Sequence, residues 1–121
     1  MSARRTVTLA TIDHGDVTIP EPTWCAGHDA HVPVHRSDLT HYGPVTGLAF
    51  RGAVLHRFRI GQAPFAELDT RAVGGELLQE SFAASVTPAD LDAFAAALVE
   101  HAAVLRHQAR KLAALLVGGA Q

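Results

Sequence analysis

The sequence predicts an α+β protein: a small antiparallel β-sheet, arranged as a meander, carries a zinc-type Cys/His loop and is followed by one long C-terminal α-helix. Three observations predict this class. Apolar and polar residues alternate through parts of residues 6–82, Cys and His cluster within residues 21–41, and Leu and Ala recur at helical spacing through residues 87–117. We expect a single domain, 1–121, because a chain of this length has room for one main core.

The first predicted element is a β-hairpin over residues 6–19. Thr and aliphatic residues alternate with period two in its first half, as in a half-buried strand. The tetrapeptide Asp13-His14-Gly15-Asp16 has the Asp and Gly of a tight turn, and the alternation resumes at residues 17–19. Two prolines, Pro20 and Pro22, end the hairpin, so the Cys/His loop starts where the hairpin ends.

Two further strands are predicted at Val45–Phe50 and Ala53–Ile60, joined by the Arg-Gly pair between them. Alternation in the second strand predicts two distinct faces. One face is expected to hold Val54, His56, Phe58 and Ile60, and the other Leu55, Arg57 and Arg59. Ala66–Thr70 and Glu76–Phe82 are weaker strand candidates, placed around a turn at Gly74-Gly75.

The C-terminal helix has the clearest boundaries. Thr87 is a favoured N-cap, Pro88 is a favoured first helical residue, and acidic residues follow in the first turn, near the positive end of the helix dipole. We expect the helix to run to about Val117, where Gly118-Gly119 stops it.

Leu and Ala form a heptad seam along this helix. Its members, spaced alternately by four and three residues, are Leu91, Ala95, Leu98, Ala102, Leu105, Ala109, Leu112 and Leu116. A helix over residues 88–116 is roughly 43 Å long, whereas a domain of this size is about 35 Å across. We therefore expect its second half to extend beyond the sheet and to pair with a second copy, as a homodimer, or with an unidentified protein partner.

Composition and charge argue against several classes of protein. The formal net charge of -2 gives no general attraction to nucleic acid or to an anionic membrane. The single Cys cannot form an internal disulfide, and the alternation that begins at Thr6 is unlike the apolar run of a signal peptide. No run approaches the ~18 apolar residues of a membrane span. We expect a cytoplasmic location.

The segment from Glu21 to His41 holds the only Cys, the only Trp and four of the eight His residues. Cys thiolate and neutral imidazole are the ligands that zinc prefers, so we predict a structural zinc site. Its expected ligands are Cys25, His28, His31 and His41, with Glu21 and His35 in reserve. A loop of roughly twenty residues without periodicity needs something to order it, and zinc binding supplies folding free energy.

A plainer interpretation is that these His residues face solvent and that Cys25 is a small core residue. Five Cys and His residues within residues 25–41 favour the metal site over this alternative. Trp24 is expected to shield it. The remaining four His residues, namely His14, His56, His101 and His107, are expected to be surface or partner-contact residues.

Four segments resemble a family of small, uncharacterised Streptomyces-type (actinobacterial) proteins. They are residues 11–18 (Thr-Ile-Asp-His-Gly-Asp-Val-Thr), 20–28 (Pro-Glu-Pro-Thr-Trp-Cys-Ala-Gly-His), 38–44 (Asp-Leu-Thr-His-Tyr-Gly-Pro) and 62–65 (Gln-Ala-Pro-Phe). The resemblance extends to the Leu/Ala helix, and it implies that the position of Glu21 can carry Cys. It thereby supports Cys25, His28 and His41 as ligands. It leaves Glu21 and His31 competing for the fourth place, and it implies no activity.

We therefore predict a non-enzymatic zinc-binding adaptor whose helix binds a partner. A DNA-associated regulator is an alternative, using Arg4-Arg5 and the helix residues Arg106, Arg110 and Lys111. A small metallohydrolase with Glu21 or Asp29 as base is a second alternative. Signature motifs of zinc proteases, zinc deaminases, P-loop proteins and dinucleotide-binding proteins do not occur in the sequence.

Overall fold

A computed structural model describes residues 5–118 and shows two antiparallel β-sheets and one long α-helix, which confirms the predicted α+β class. The strands are β1 (Thr6–Ala10), β2 (Asp16–Pro20), β3 (His41–Tyr42), β4 (Thr46–Phe50), β5 (Ala53–Gln62) and β6 (Gly74–Gln79), and the helix is α1 (Pro88–Val117). Short 3-10 turns lie at Arg36–Asp38 and Asp69–Arg71. Over these residues, no helix has the length and apolar character that crossing a membrane requires.

β1 and β2 form the predicted hairpin. Its turn is closed by Thr11, whose backbone N–H and hydroxyl both donate to the Gly15 carbonyl oxygen, over 2.8 and 2.7 Å. Gly15 has a φ of +61°, a conformation that glycine adopts without steric cost. One face of the hairpin buries Leu9 and Ile19 against Leu39 from the following loop, and we call this cluster the hairpin core.

The larger sheet is a meander with β5 at its centre. β6 pairs with one edge of β5, while β3 and β4 pair with the other edge in nearly the same register, interrupted at residues 43–45. The turn between β4 and β5 places Arg51 at φ 53° and Gly52 at φ 83°. Two consecutive positive φ angles are typical of tight hairpin turns, so the predicted Arg-Gly turn is confirmed.

A β-bulge changes the predicted faces of β5. The register of β4 on β5 shifts by one residue, so Leu55 lies between two paired residues and has no partner of its own. Alternation placed Leu55 with the two arginines of the outer face, but Leu55 is 6% exposed and Val54 is 40% exposed. The prediction is wrong at these two positions because one extra residue inverts the alternation. Beyond the bulge, Phe58 and Ile60 lie on the apolar face as predicted.

The weaker strand predictions are only partly right. Residues 66–70 form turns rather than a strand. Gly74 and Gly75 begin β6 instead of forming a turn before it. A side chain at Gly75 would place its Cβ 2.6 Å from the Phe58 ring, so this glycine serves a close approach between strands.

Helix α1 begins at the predicted N-cap, and its described end agrees with the predicted stop. Thr87 is the N-cap, and its side chain accepts a hydrogen bond from the Asp90 N–H. The Asp90 side chain accepts one from the Thr87 N–H in return, which makes a capping box. The helix ends at Val117, and the N–H of Gly118 donates to the Ala114 carbonyl oxygen. The second glycine of the predicted stop, at position 119, lies outside the described residues.

The face that α1 turns toward the sheet differs from the predicted seam. Its buried and half-buried apolar residues and His101 follow a neighbouring stripe, namely Phe94, Ala97, His101, Leu105, Leu112 and Leu115. Only Leu105 and Leu112 belong to both stripes. The predicted members Leu91, Leu98 and Leu116 are exposed. Because heptad spacing fits two adjacent helix faces, the periodicity alone does not decide which one the sheet covers.

The second half of α1 was expected to extend past the sheet, and this expectation is wrong. Leu112 and Leu115 pack against a second core of Trp24, Ile60 and Val73, which we call the helix core. In the first half, the Phe94 ring lies 4.8 Å from the Phe50 ring of β4, measured between centroids. β5 is ten residues long, so the sheet supports most of the helix.

Two histidines that were expected at the surface, His56 on β5 and His101 on α1, lie close to each other instead. His101 is buried under the helix, and its ring centroid lies 5.6 Å from that of His56. Neither ring nitrogen of His101 has a hydrogen-bond partner among the described residues. Burial, and then the nearby charge of His56, lowers the pKa of His101. His14 and His107 are exposed, as expected.

We expect the buried His101 to make the fold sensitive to acid. Its pKa is lowered in the fold, so the unfolded chain binds more protons once the pH falls through about 6.5. The free energy of unfolding should therefore decrease from about pH 6.5 downward. Urea denaturation across this range should show a weaker pH dependence for His101→Leu, and an unchanged one for the exposed His107→Leu. Equal pH dependence in all three chains would contradict this expectation.

Leu39 is the largest apolar side chain that is fully buried, so we expect Leu39→Ala to be strongly destabilising. The lost contacts and the cavity should lower the free energy of unfolding by about 2–5 kcal/mol in urea denaturation. Leu68→Ala is the matched control, because Leu68 is 74% exposed and its truncation should change stability by less than about 0.5 kcal/mol. A similar loss in both variants would show that the hairpin core is not as described.

Candidate metal centre

Four side chains from residues 21–41 converge on one point. They are Glu21, Cys25, His28 and His41, and one ligand atom from each lies within 4.8 Å of the corresponding atoms of the others. His41 is 1% exposed, and the other three side chains are partly buried. A carboxylate, a thiol and two imidazoles are the donor types found in zinc sites, so the group is a candidate metal centre.

The hairpin positions Glu21. Its backbone N–H donates to the Arg5 carbonyl oxygen over 2.9 Å, which continues the β1–β2 ladder one step past Pro20. The following Pro22 is buried and ends the ladder. Glu21 is therefore held by a sheet rather than by a free loop, although it lies at the hairpin's end.

A tight turn positions Cys25 and His28. The Cys25 N–H donates to the Pro22 carbonyl oxygen, and the Gly27 N–H points at the Cys25 Sγ atom over 3.5 Å. Gly27 has a φ of +104°, which residues with a Cβ rarely adopt. The turn then brings His28 Nε2 to 3.5 Å from Cys25 Sγ. Substitution of this glycine should therefore disturb both ligands.

The larger sheet positions His41. β3 pairs His41 with Gln62 of β5, and the Ala26 N–H donates to the Tyr42 carbonyl oxygen, which ties the cysteine turn to β3. The Trp24 ring meets the His41 ring edge to face, at 6.3 Å between centroids. Trp24 is itself buried, so the predicted shielding role agrees with its position.

The distances in the group approach those of a tetrahedral zinc site. Zinc bonds of about 2.0–2.1 Å to nitrogen or oxygen and about 2.3 Å to sulfur separate the ligand atoms by about 3.3 Å, or about 3.6 Å when one is sulfur. Cys25 Sγ and His28 Nε2 are 3.5 Å apart. Glu21 Oε1 lies 3.0 Å from His28 Nε2 and 2.9 Å from His41 Nδ1. All four ligand atoms lie within 4.8 Å of one another, so an ion at their centre would draw the donors together.

One atom of the group has a short contact without a hydrogen bond. His41 Nδ1 is 2.9 Å from Glu21 Oε1, yet the direction of approach does not satisfy hydrogen-bond geometry, and this nitrogen has no other partner among the described residues. A buried polar atom of this kind is costly unless something binds it. A cation placed between the two atoms would satisfy both.

The electrostatics of the group also suit a cation. Burial raises the pKa of Glu21, but hydrogen bonds from His28 and Cys25 and the charges of both imidazoles outweigh it, so this pKa lies below its ordinary value. Burial, with the charge of His28, lowers the pKa of His41 despite the nearby carboxylate. The site therefore contains a carboxylate and a neutral imidazole at neutral pH, which are their metal-binding forms.

Cys25 is the exception among the four donors. Burial raises the pKa of its thiol, the Gly27 N–H opposes this rise, and the Glu21 carboxylate adds to it. The thiol is thus protonated at neutral pH in the absence of a cation. A coordinated thiol loses its proton, because the charge of the ion outweighs that of the carboxylate. The lone Cys25 is therefore better explained as a metal ligand than as an activated nucleophile.

The structure brings together three of the four expected ligands, and Glu21, held in reserve, takes the fourth place. It does not bring in His31, whose Nε2–H donates to the Ala10 carbonyl oxygen over 2.9 Å on the hairpin. His35 is exposed and lies at the start of the 3-10 turn. No local pattern indicates that Ala10 lies beside His31, because that contact joins distant parts of the chain.

Part of the loop has anchors other than the candidate metal centre. The Ile12 N–H donates to the Val34 carbonyl oxygen, and the Arg36 N–H donates to Asp13 Oδ1, both over 2.8 Å. Leu39 then anchors the segment in the hairpin core. Residues 34–39 are therefore held against the hairpin by contacts that use none of the four donors, and the ordering of the loop by zinc stays a prediction.

The chain matches a protein-family model over most of its length. A family model described as a domain of unknown function, DUF6907, matches residues 6–114. The chain belongs to this family. The match includes both sheets, the candidate metal centre and most of α1, so the site lies within the family domain. Comparisons with curated proteins and with solved structures gave no match.

We expect substitutions to separate Glu21 from His31 as the fourth ligand. Glu21→Gln and His28→Gln should each weaken zinc binding by at least about 100-fold, because each removes a direct donor. His31→Gln should leave the affinity within about threefold and only remove the bond to Ala10. The measurement is competition with a chromophoric zinc chelator. Loss of affinity in His31→Gln but not in Glu21→Gln would restore the ligand set predicted from the sequence.

Proposed function

We propose that this chain is a non-enzymatic zinc-binding adaptor. A structural metal ion held by Glu21, Cys25, His28 and His41 fixes the junction between the hairpin and the larger sheet, and α1 presents a surface to a protein partner. The observation that carries the metal assignment is the convergence of four donor atoms, one of them a buried His41 nitrogen to which no described residue makes a hydrogen bond. A cytoplasmic location and an actinobacterial family range belong to the same proposal.

The donor set favours zinc over harder cations. Ca²⁺ and Mg²⁺ are bound mainly by several oxygen atoms, and only Glu21 supplies a side-chain oxygen here. One thiolate and two imidazoles suit Zn²⁺, which also accepts a carboxylate as a ligand. Three short donor separations, of 3.5, 3.0 and 2.9 Å, agree with this choice.

The number of donors favours a structural metal over a catalytic one. Catalytic zinc sites keep one position open for water, whereas four protein donors fill a tetrahedron. The surrounding residues are also those of a core: Cys25 packs against the helix core, and Trp24 covers His41. The energetic contribution of such an ion is to stabilise the fold, because the unfolded chain offers no preformed site.

A small metallohydrolase is a second candidate, and one observation favours it. A cleft of about 360 Å³ lies beside His28 and is lined in part by His31, Asp38 and Thr40. If Glu21 acted as a base instead of a ligand, the ion would have three protein donors and an open position. The adaptor remains the better supported proposal because the Glu21 oxygen already lies within 3.0 Å of both imidazoles.

The DNA-associated alternative has less support. α1 is the one α-helix within residues 5–118, so this part of the chain holds no helix-turn-helix. Arg4 lies outside the described residues, and the Arg5 guanidinium donates to the Pro22 carbonyl oxygen over 3.3 Å. The basic residues of α1 remain exposed.

The test of the metal proposal is the coordination sphere of the purified chain, prepared without a His tag or added metal. Native mass spectrometry should show one zinc per chain. X-ray absorption at the zinc edge should show one sulfur at about 2.3 Å and three nitrogen or oxygen neighbours at about 2.0–2.1 Å. Cys25→Ser should remove the sulfur neighbour. A chain without metal, in a folded state, would refute the proposal.

The same samples distinguish the structural ion from the catalytic one. For the adaptor, Glu21→Gln should change the zinc-edge spectrum, because a direct ligand is altered. For the hydrolase, the native spectrum should show a water ligand, and Glu21→Gln should abolish turnover without changing the spectrum. Removal of zinc by a chelator should also raise hydrogen exchange at residues 21–28 more than at residues 34–39.

A further inference from the structure

One face of α1 remains uncovered by the sheet. Leu91 is 58% exposed, Leu98 is 42% exposed and Leu116 is 53% exposed, and all lie on one side of the helix. Exposed alanines continue this face between the leucines, namely Ala95, Ala102 and Ala109. We call these six residues the Leu/Ala stripe.

We propose that the Leu/Ala stripe binds the same stripe of a second copy of this chain, with the two helices antiparallel. This inference specifies the partner of the adaptor and rests on the proposed function for its biological meaning. The dimer contact itself uses no residue of the metal centre. It can therefore fail while the metal assignment stands.

Geometry shows why the sheet leaves this face open. At about 100° per residue, the stripe is centred roughly 90° around the helix from the face that carries Phe94, His101 and Leu115. A flat sheet covers only one of two faces at such an angle. Val99, which is 73% exposed, widens the uncovered side beyond the stripe. An apolar strip along a thirty-residue helix is unfavourable in water, so a second surface is expected to cover it.

The distribution of charge along α1 favours a second copy of the chain as the partner of the Leu/Ala stripe, in an antiparallel orientation. The first half of α1, residues 88–102, carries three acidic residues and no Lys or Arg, whereas the second half, residues 103–117, carries three basic residues and no Asp or Glu. A parallel pair of these helices would set like charges beside each other. An antiparallel pair sets the acidic half of each helix against the basic half of its partner, so a second copy is electrostatically complementary.

The stripe is also symmetric about its own middle. Ala95 and Ala109 are equally distant from Ala102, so an antiparallel pair centred on Ala102 places Ala95 of one copy opposite Ala109 of the other. In the same arrangement Asp92 comes close to Arg110. Small side chains at these points let two helix backbones approach closely. A self-complementary surface around a two-fold axis is the usual form of a homodimer contact.

The first test measures association of the full-length zinc-loaded chain. Sedimentation velocity, from low micromolar to several hundred micromolar protein, should show a monomer–dimer equilibrium. Leu98→Lys should raise the dissociation constant at least about tenfold, because it buries a charge in the contact and sets it against the basic half of the partner helix. Ala103→Lys is the matched control: Ala103 is exposed but lies off the stripe, and its variant should associate like the native chain. Equal association of both variants would overturn the inference.

The second test measures orientation. An equimolar mixture of Ala95→Cys and Ala109→Cys in a glutathione redox buffer should form a 95–109 disulfide, while each variant alone should not link through its new cysteine. In an antiparallel pair two copies of position 95 lie about 20 Å apart, which is too far for a disulfide. Trypsin separates the two positions at Arg106, so peptide masses identify the link. Ala103→Cys and the native chain report background linkage, including any through Cys25.

The outcomes separate this inference from the metal proposal. A zinc-loaded chain that stays monomeric up to several hundred micromolar overturns the dimer and leaves the metal site intact. A link between two copies of position 95 overturns the antiparallel arrangement. A folded dimer without zinc supports the contact and refutes the metal proposal. Antiparallel linkage together with the Leu98→Lys effect supports the inference.

Discussion

The fold depends most on the junction where the hairpin ends and the larger sheet begins. There the Glu21 carboxylate lies 2.9 Å from the buried His41 nitrogen, between the hairpin core and the helix core. Charged and polar groups in such a place are unfavourable unless they are fully paired. A cation bound there would resolve that conflict, because the carboxylate, the thiolate and both imidazoles would become its ligands. The polar junction and the two apolar cores are thus parts of one arrangement.

Local sequence patterns predicted the elements that local physics determines. The hairpin, the capping box of α1 and the Arg-Gly turn all depend on residues that are close in the chain. The bulge at Leu55 could not be predicted, because it depends on how β4 registers against β5. The covered face of α1 could not be predicted either, since Leu105 and Leu112 belong to both candidate stripes and only the sheet selects between them.

The residues of the candidate site also differ in whether local sequence or a distant contact determines their position. Cys25 and His28 were predictable because a three-residue spacing places both on one turn. The choice between Glu21 and His31 was not, because it depends on the Ala10 carbonyl oxygen, which holds His31 on the hairpin. The loop also proved to have anchors of its own, among them the buried Leu39. The candidate metal centre is therefore one of several anchors of this segment.

All four donors come from one stretch that ends at His41, well before the central strand and the helix. The entropy of closing such a loop grows only slowly with its length, by about 0.6 kcal/mol for each doubling. During synthesis, the complete donor set thus leaves the ribosome ahead of the two elements that later bury it.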